Sequence, residues 1–283
     1  MSDELKHQII AMDNLLAKQS HSMSIEYQKM FYIALSHINE TNSKENNEVI
    51  IDKKSFFELL NATDTNRHAR YRKMWQKLRH MTSYDFGNDE EYVSGDLITR
   101  VISTKNKYHV YFEREFMPLL TQLSGDYTRL LRNDIIEFKS SYSTILYQQL
   151  MRLQGFRYRG IDFSTKQIKD MFGLNKDAYV YLEKKKDKNG NIKETMCFKR
   201  PLFEKKTIDV AVKEINETSK CIRNLKYEKT YDNRKQVDKY VFYYDYIDPQ
   251  QAKERNPIEE QPIKTTQKEN DISEEIKNFN WWD

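Results

Sequence analysis

The chain has 283 residues, 47 Lys and Arg against 43 Asp and Glu for a net charge of +4, and is 38% hydrophobic, 32% charged and 13% aromatic. That length predicts two domains, each large enough for its own core, and 19 Tyr with 14 Phe predict cores rich in rings. No apolar run approaches the roughly 18 residues that span a bilayer, and MSDELKHQII lacks the basic start and apolar block of a secretory signal, so a cytoplasmic protein without membrane attachment is expected. Cys197 and Cys221 are too few and too far from any His pair for a zinc motif, so both read as reduced structural thiols, with no metal and no cofactor expected.

In chain order, residues 1–20 read as an N-terminal arm, and Ile25 to Asn39 as an amphipathic helix. Val49 to Asn61 combines a short apolar strand, a capping Asp52, and a helix with Phe56, Leu59 and Leu60 inward. Arg67 to Met81, RHARYRKMWQKLRHM, carries six Arg and Lys and no acid, yet Tyr71, Met74, Trp75, Leu78 and Met81 share one helical face. Asn66, Ala69, Lys73, Gln76, Lys77 and His80 fall opposite, flanked by Arg72 and Arg79. Surface helices ordinarily mix charges, because like-charge pairs three or four residues apart work against the helix. A helix with uncompensated positive charge points to a polyanion, against the plainer reading of a solvated basic face on a core helix. Strand-like segments follow at Ser83–Phe86, Tyr92–Thr104 and Lys107–Phe112.

The pattern recurs about 112 residues later. Tyr142 to Gln154 is a second amphipathic helix, and Ile161 to Asn175 repeats the strand and helix, with Ser164 and Gln167 as a capping box, Ile168, Met171 and Phe172 inward, and Gly173 as terminator. Phe203 to Ser219 is then a second candidate reading helix, approached through Pro201, with Phe203, Ile208, Ala211, Val212 and Ile215 buried and Lys206, Asp209, Val210 and Lys213 outermost. Asp209 and Glu214 weaken its electrostatic case. Ile222–Lys229 and Val237–Tyr246 follow, joined by the polar turn Tyr231 to Lys235.

Helix, strand, helix, helix, hairpin is the winged-helix order, in which the third helix enters the major groove and the hairpin reaches adjacent backbone. The expected fold is therefore α+β: two tandem winged-helix DNA-binding domains over 21–128 and 129–248, with a disordered acidic tail over 249–283. That tail holds three of the five prolines and five bases against eight acids, −3, leaving +7 on the rest. The candidate DNA-binding residues are Arg67, Arg70, Arg72, Lys73, Gln76, Lys77 and His80 in the first unit. In the second they are Lys199, Arg200, Lys205, Lys206 and Lys213, with Arg234 and Lys235 on the wing.

SMSIEYQKMFYIALSHI, RYRKMWQKLRHM, SSYSTILYQQLMRL, and above all FEKKTIDVAVKEINETS followed by YEKTYDNRKQVDKYVFYY resemble the theta-type plasmid replication initiators with two winged helices. The resemblance covers about Gln19 to Tyr246 and is most specific over Phe203 to Asn216. It implies binding to directly repeated origin sites (iterons) in double-stranded DNA as a monomer and autorepression as a homodimer in equilibrium with that monomer. It also implies a dimer surface on the first winged helix and recruitment of host helicase or initiator proteins. Two departures bear on how the second helix meets DNA: Glu183 to Glu194, EKKKDKNGNIKE, reads as an extra hairpin turning at Asn189-Gly190, and Val210 stands where a proline is usual.

A winged-helix transcriptional repressor is the alternative among binding proteins, and a metal-dependent nicking initiator the alternative among enzymes. Nicking needs a Tyr nucleophile and a metal on a His-x-His motif, but His7, His21, His37, His68, His80 and His109 never fall two apart. The seven glycines never form a phosphate-cradling loop ending in Gly-Lys-Ser/Thr, so no ATP chemistry is expected, and the chain reads as a non-enzyme.

Overall fold

The computed structural model describes residues 9–18, 23–39, 41–87, 92–123, 127–186 and 192–254. It begins with β1 (Ile9–Asp13), α1 (Asn14–Lys18), α2 (Ile25–Ser36), β2 (Glu48–Asp52), α3 (Lys53–Leu59) and α4 (Arg67–Arg79). Four strands follow, β3 (Ser83–Gly87), β4 (Tyr92–Asp96), β5 (Ile98–Ser103) and β6 (Lys107–Phe112), then α5 (Pro118–Thr121) and β7 (Tyr127–Leu131). After α6 (Arg132–Glu137) the second unit runs α7 (Ser141–Arg152), β8 (Ile161–Ser164), α8 (Thr165–Met171), β9 (Val180–Lys186), β10 (Ile192–Phe198), α9 (Arg200–Lys206), α10 (Ile208–Thr218), β11 (Ile222–Tyr231), β12 (Val237–Tyr246) and α11 (Pro249–Glu254).

Both units build the same antiparallel sheet. In the first the order is β2-β6-β5, with Glu48 opposite Tyr111 and Asp52 opposite Lys107. In the second it is β8-β12-β11, with Ile161 opposite Phe242 and Ser164 opposite Lys239. The wings are the β5–β6 and β11–β12 hairpins, and the third strand leads straight into a capped helix. Asp52 accepts from the Ser55 amide at 2.9 Å, and Ser164 and Gln167 form the reciprocal capping box.

The cores explain the aromatic content. Phe56 lies 5.3 Å from Tyr71 and from Tyr108 and 5.9 Å from Trp75, and all four are essentially buried. In the second unit Phe163, Phe203, Tyr227, Tyr240 and Phe242 play this part. Burying one such ring contributes about 1.5–3 kcal/mol, and edge-to-face contact about 0.5–1.5 kcal/mol more. Between the units, Tyr32 donates to Gln148, whose amide donates to the Ala17 carbonyl at 2.6 Å; Gln149 reaches the same carbonyl at 3.0 Å.

Four sequence expectations are corrected. Of the arm expected over 1–20, residues 9–13 are the strand β1, paired with β7 from Ile9–Leu131 to Asp13–Tyr127, with Ile10 and Met12 buried. A single short alternation beside a polar start carries too little pattern to be read. Tyr92–Thr104 is two strands: buried Leu97 donates to the Thr82 carbonyl at 2.8 Å and accepts from Glu113 at 2.7 Å, so β4 pairs with β3 and β5 with β6. The helix expected over Phe203–Ser219 is interrupted at Thr207 (φ −126°, ψ −74°), whose hydroxyl donates back to the Phe203 carbonyl at 2.7 Å. Of the tail expected to be disordered over 249–283, residues 249–254 form α11 with Ala252 buried; 255–283 lie outside the described residues. So does Asn189-Gly190, although the expected hairpin is present as β9 and β10, paired from Val180–Phe198 to Lys186–Ile192.

Candidate nucleic-acid interface

α4 buries Tyr71, Met74, Trp75 and Leu78 against the first core, so its opposite face must meet solvent. Arg72, Lys73, Gln76 and Lys77 are exposed there and have no side-chain partner among the described residues. His80, at the C-terminal end, is exposed with Nδ1 3.8 Å from Asp96. Two residues of this group already have partners. Arg67 is half-buried, donating to the Ala62 carbonyl at 3.1 Å with its guanidinium 5.1 Å from the centre of the Phe57 ring. Arg70 pairs with Asp64 at 3.3 Å and donates to the Tyr71 hydroxyl at 3.0 Å.

In the second unit Lys199, Lys205 and Lys206 are exposed around α9. Lys199 lies over the Tyr181 ring at 5.8 Å, and Lys213 is exposed 3.8 Å from Glu217. Arg200 differs: its guanidinium donates to Thr165 and Tyr240 at 3.1 Å each and tightens the packing of α9 on the sheet. The acids on these helices also have partners. Asp209 accepts from the Tyr227 hydroxyl at 2.8 Å, Glu204 from Lys229 at 2.8 Å and Tyr240 at 2.9 Å, and Glu214 from the amides of Lys139 and Ser140. Burial pushes the Tyr240 hydroxyl up to about 12, so it stays a donor at neutral pH.

The second wing tip is a built turn. Asp232 accepts from the amides of Arg234 and Gln236 at 2.9 and 2.8 Å, and Lys235 takes a left-handed φ of 59°, leaving both basic side chains exposed. The first wing has an equivalent tip that the sequence reading missed. Lys105 and Lys107 are exposed at the β5–β6 turn, held by buried Lys53, which donates to Ser103 at 2.8 Å and to the Thr104 carbonyl. Burial, then the nearby Arg72, lowers the Lys53 pKa. Element order is the signal that finds this tip, because Lys105 lies in the β5–β6 turn as Arg234 and Lys235 lie in the β11–β12 turn. Each unit therefore brings an exposed cationic helix and a cationic wing tip onto the same kind of scaffold. Among the described residues there is no cluster of three or more His, Cys, Asp or Glu able to hold a metal, and no helix is long and apolar enough to cross a membrane.

Comparison with known proteins agrees with this geometry. The family described as "Initiator Replication protein, WH1" matches residues 9–151, and that described as "Initiator Rep protein, WH2" matches residues 164–244. No curated protein matches the chain significantly. Among solved structures, that described as "Crystal structure of Pi initiator protein in complex with iteron DNA" is similar with a TM-score of 0.61 and 17% identity, covering 86% of this chain and 99% of that one. At that identity the likeness speaks for the fold.

Proposed function

Because the chain belongs to the plasmid replication initiator protein family, we propose that it starts replication by binding direct repeats at an origin in double-stranded DNA, without a catalytic step of its own. The observation that carries this reading is the duplication: two winged helices with the same sheet order, each with exposed cations on helix and wing. α4 and the α9–α10 pair read successive major grooves, and the wings hold phosphates. Lys73 and Gln76, outermost at mid-helix, contact base edges, while Arg72, Lys77, Lys105, Lys205, Lys206, Arg234 and Lys235 neutralise backbone. Support for repeated sites as the ligand comes from the similar fold, which carries iteron DNA in the solved relative.

We assign self-association to the first unit. β5 is an edge of its sheet and Ile102 on it is 42% exposed, an open ladder on which a second copy pairs. The dimer represses the gene's own promoter; the monomer binds repeats and recruits host helicase or initiator proteins in the cytoplasm. The test is to transform host cells with a plasmid carrying this reading frame and its flanking DNA, intact and frameshifted. Colonies should require the intact frame, and purified protein should retard labelled duplexes bearing the flanking repeats without cutting either strand. Maintenance of the frameshifted plasmid overturns the reading, and strand cleavage returns the nicking alternative.

A further inference from the structure

The C-terminal end of α10 is held by a group that does not belong to its own winged helix. Asp134, in α6 between the two units, has 1% of its surface exposed. Its carboxylate accepts from the Ser219 hydroxyl at 2.6 Å, the Lys220 amide at 3.0 and 3.1 Å, and the Cys221 amide at 3.4 Å. Ser219 is the C-terminal cap of α10 and in turn accepts from the Cys221 and Ile222 amides at 3.1 and 3.0 Å. One turn earlier Glu214 reaches in the opposite direction, accepting from the Lys139 and Ser140 amides at 2.6 and 3.0 Å, where α7 begins. Burial lowers the pKa of Lys29 of α2, in the first unit, and the charges of Glu214, Glu26 and Glu137 oppose that shift. α6 packs on α2 and α10 on α7.

Several hydrogen bonds converging on one carboxylate fix the direction as well as the distance of the groups that donate them. Two such carboxylates facing opposite ways prevent α10 from sliding along, or rocking about, the segment 132–140. We infer that Asp134 and Glu214 are positioning residues that lock the second reading helix to the connector, and through it to the first unit, so that the protein measures the spacing between the two halves of its DNA site. The inference rests on the reading of both units as contacting one duplex. A base pair inserted between the halves turns the second by about 34–36° and shifts it about 3.4 Å. A locked pair of helices cannot follow that change; an unlocked pair can.

The experiment uses the full chain and labelled duplexes carrying one origin repeat, with none, one or two base pairs inserted at its centre, read by fluorescence anisotropy. The natural protein is expected to lose about tenfold or more with one inserted pair, comparable to a mismatched base pair. Asp134→Asn and Glu214→Ala should bind the unaltered repeat less tightly but lose less than about threefold on insertion, flattening the profile. A merely structural role would lower affinity at every spacing alike, and parallel profiles overturn the inference while leaving the DNA-binding reading intact. A flat profile for the natural protein also overturns it. No preference of the natural protein for the repeat over random duplex overturns the functional reading instead. Should Asp134→Asn fail to fold, Glu214→Ala, at a half-buried position, decides alone.

Discussion

At the scale of single residues, charge and direction separate reading from anchoring. Lys73 is exposed at mid-helix, so Lys73→Ala is expected to cost about 1–3 kcal/mol on the repeat and to relax sequence preference. Lys235→Ala should weaken binding to repeat and random DNA alike and lower the salt slope by about one. Competition binding against both duplexes checks the pair; equal losses for Lys73→Ala remove its base-reading role. Asp134 gives a test of a different kind. Burial pushes its carboxyl up to about 6 from 3.8, outweighing the bonds from Ser219, Lys220, Cys221 and Tyr147 that favour the anion. The folded value lies above the unfolded one, so this group's stabilisation is complete below about pH 4 and lost as pH rises through about 6. The unfolding free energy of the natural protein relative to Asp134→Asn should therefore fall across that window, by at most about 3 kcal/mol. Urea titrations at stepped pH measure it, and a difference that rises with pH contradicts the assignment. The sequence showed which side of α4 faces outward but not that Arg67 and Arg70 are tied to neighbouring groups. A helical wheel fixes an angle about the axis, whereas a long guanidinium side chain bends to whichever carbonyl, carboxylate or ring lies within reach.

At the scale of elements, caps and glycine positions were legible because they depend on neighbours in sequence. The Asp52 cap, the Ser164–Gln167 box and the end of α8 at Gly173 (φ 64°) are present. The break at Thr207 was not legible, since the apolar stripe runs unbroken from Phe203 to Ile215 and the interruption comes from a hydroxyl competing for a helical carbonyl. Gly160 makes an element-level prediction. It holds φ 78°, and a Cβ there would meet Val241 at 2.5 Å and Tyr243 at 2.8 Å, at the start of β8. Gly160→Ala is expected to destabilise the protein by about 1–3 kcal/mol, read as a lowered Tm, whereas Gly155→Ala, with open space around its Cβ, should change little. The β5 edge makes another: Ile102→Lys should leave folding intact, shift sedimentation from dimer to monomer and release repression of the gene's own promoter. A dimer that survives the added charge places the interface elsewhere.

For the whole molecule, electrostatics govern affinity. If both helices and both wings engage one duplex, log K should fall with log salt by about 0.9 per phosphate neutralised, and a slope near zero would remove the electrostatic argument. Truncation after Glu254 removes four bases and seven acids and is expected to leave binding equal or tighter, as measured at constant salt. The two-unit layout was legible because the chain repeats itself about 112 residues on, Asp52 and Ser164 marking the same cap. The joint between units was not. Gln148, Asp134 and Glu214 are ordinary polar residues on amphipathic helices, and their roles exist only once distant segments meet.

The β1–β7 pairing also fixes an order of events during synthesis. Ile9–Asp13 leaves the ribosome well before its partner Tyr127–Leu131, which follows every other strand of the first unit. Until then Ile10 and Met12 have no ladder to complete, and closure waits on a contact of long sequence separation, the slow kind. The strand that completes the first unit runs directly into α6, which carries Asp134. The nascent chain thus seals its first winged helix in the same step that delivers the connector for its second.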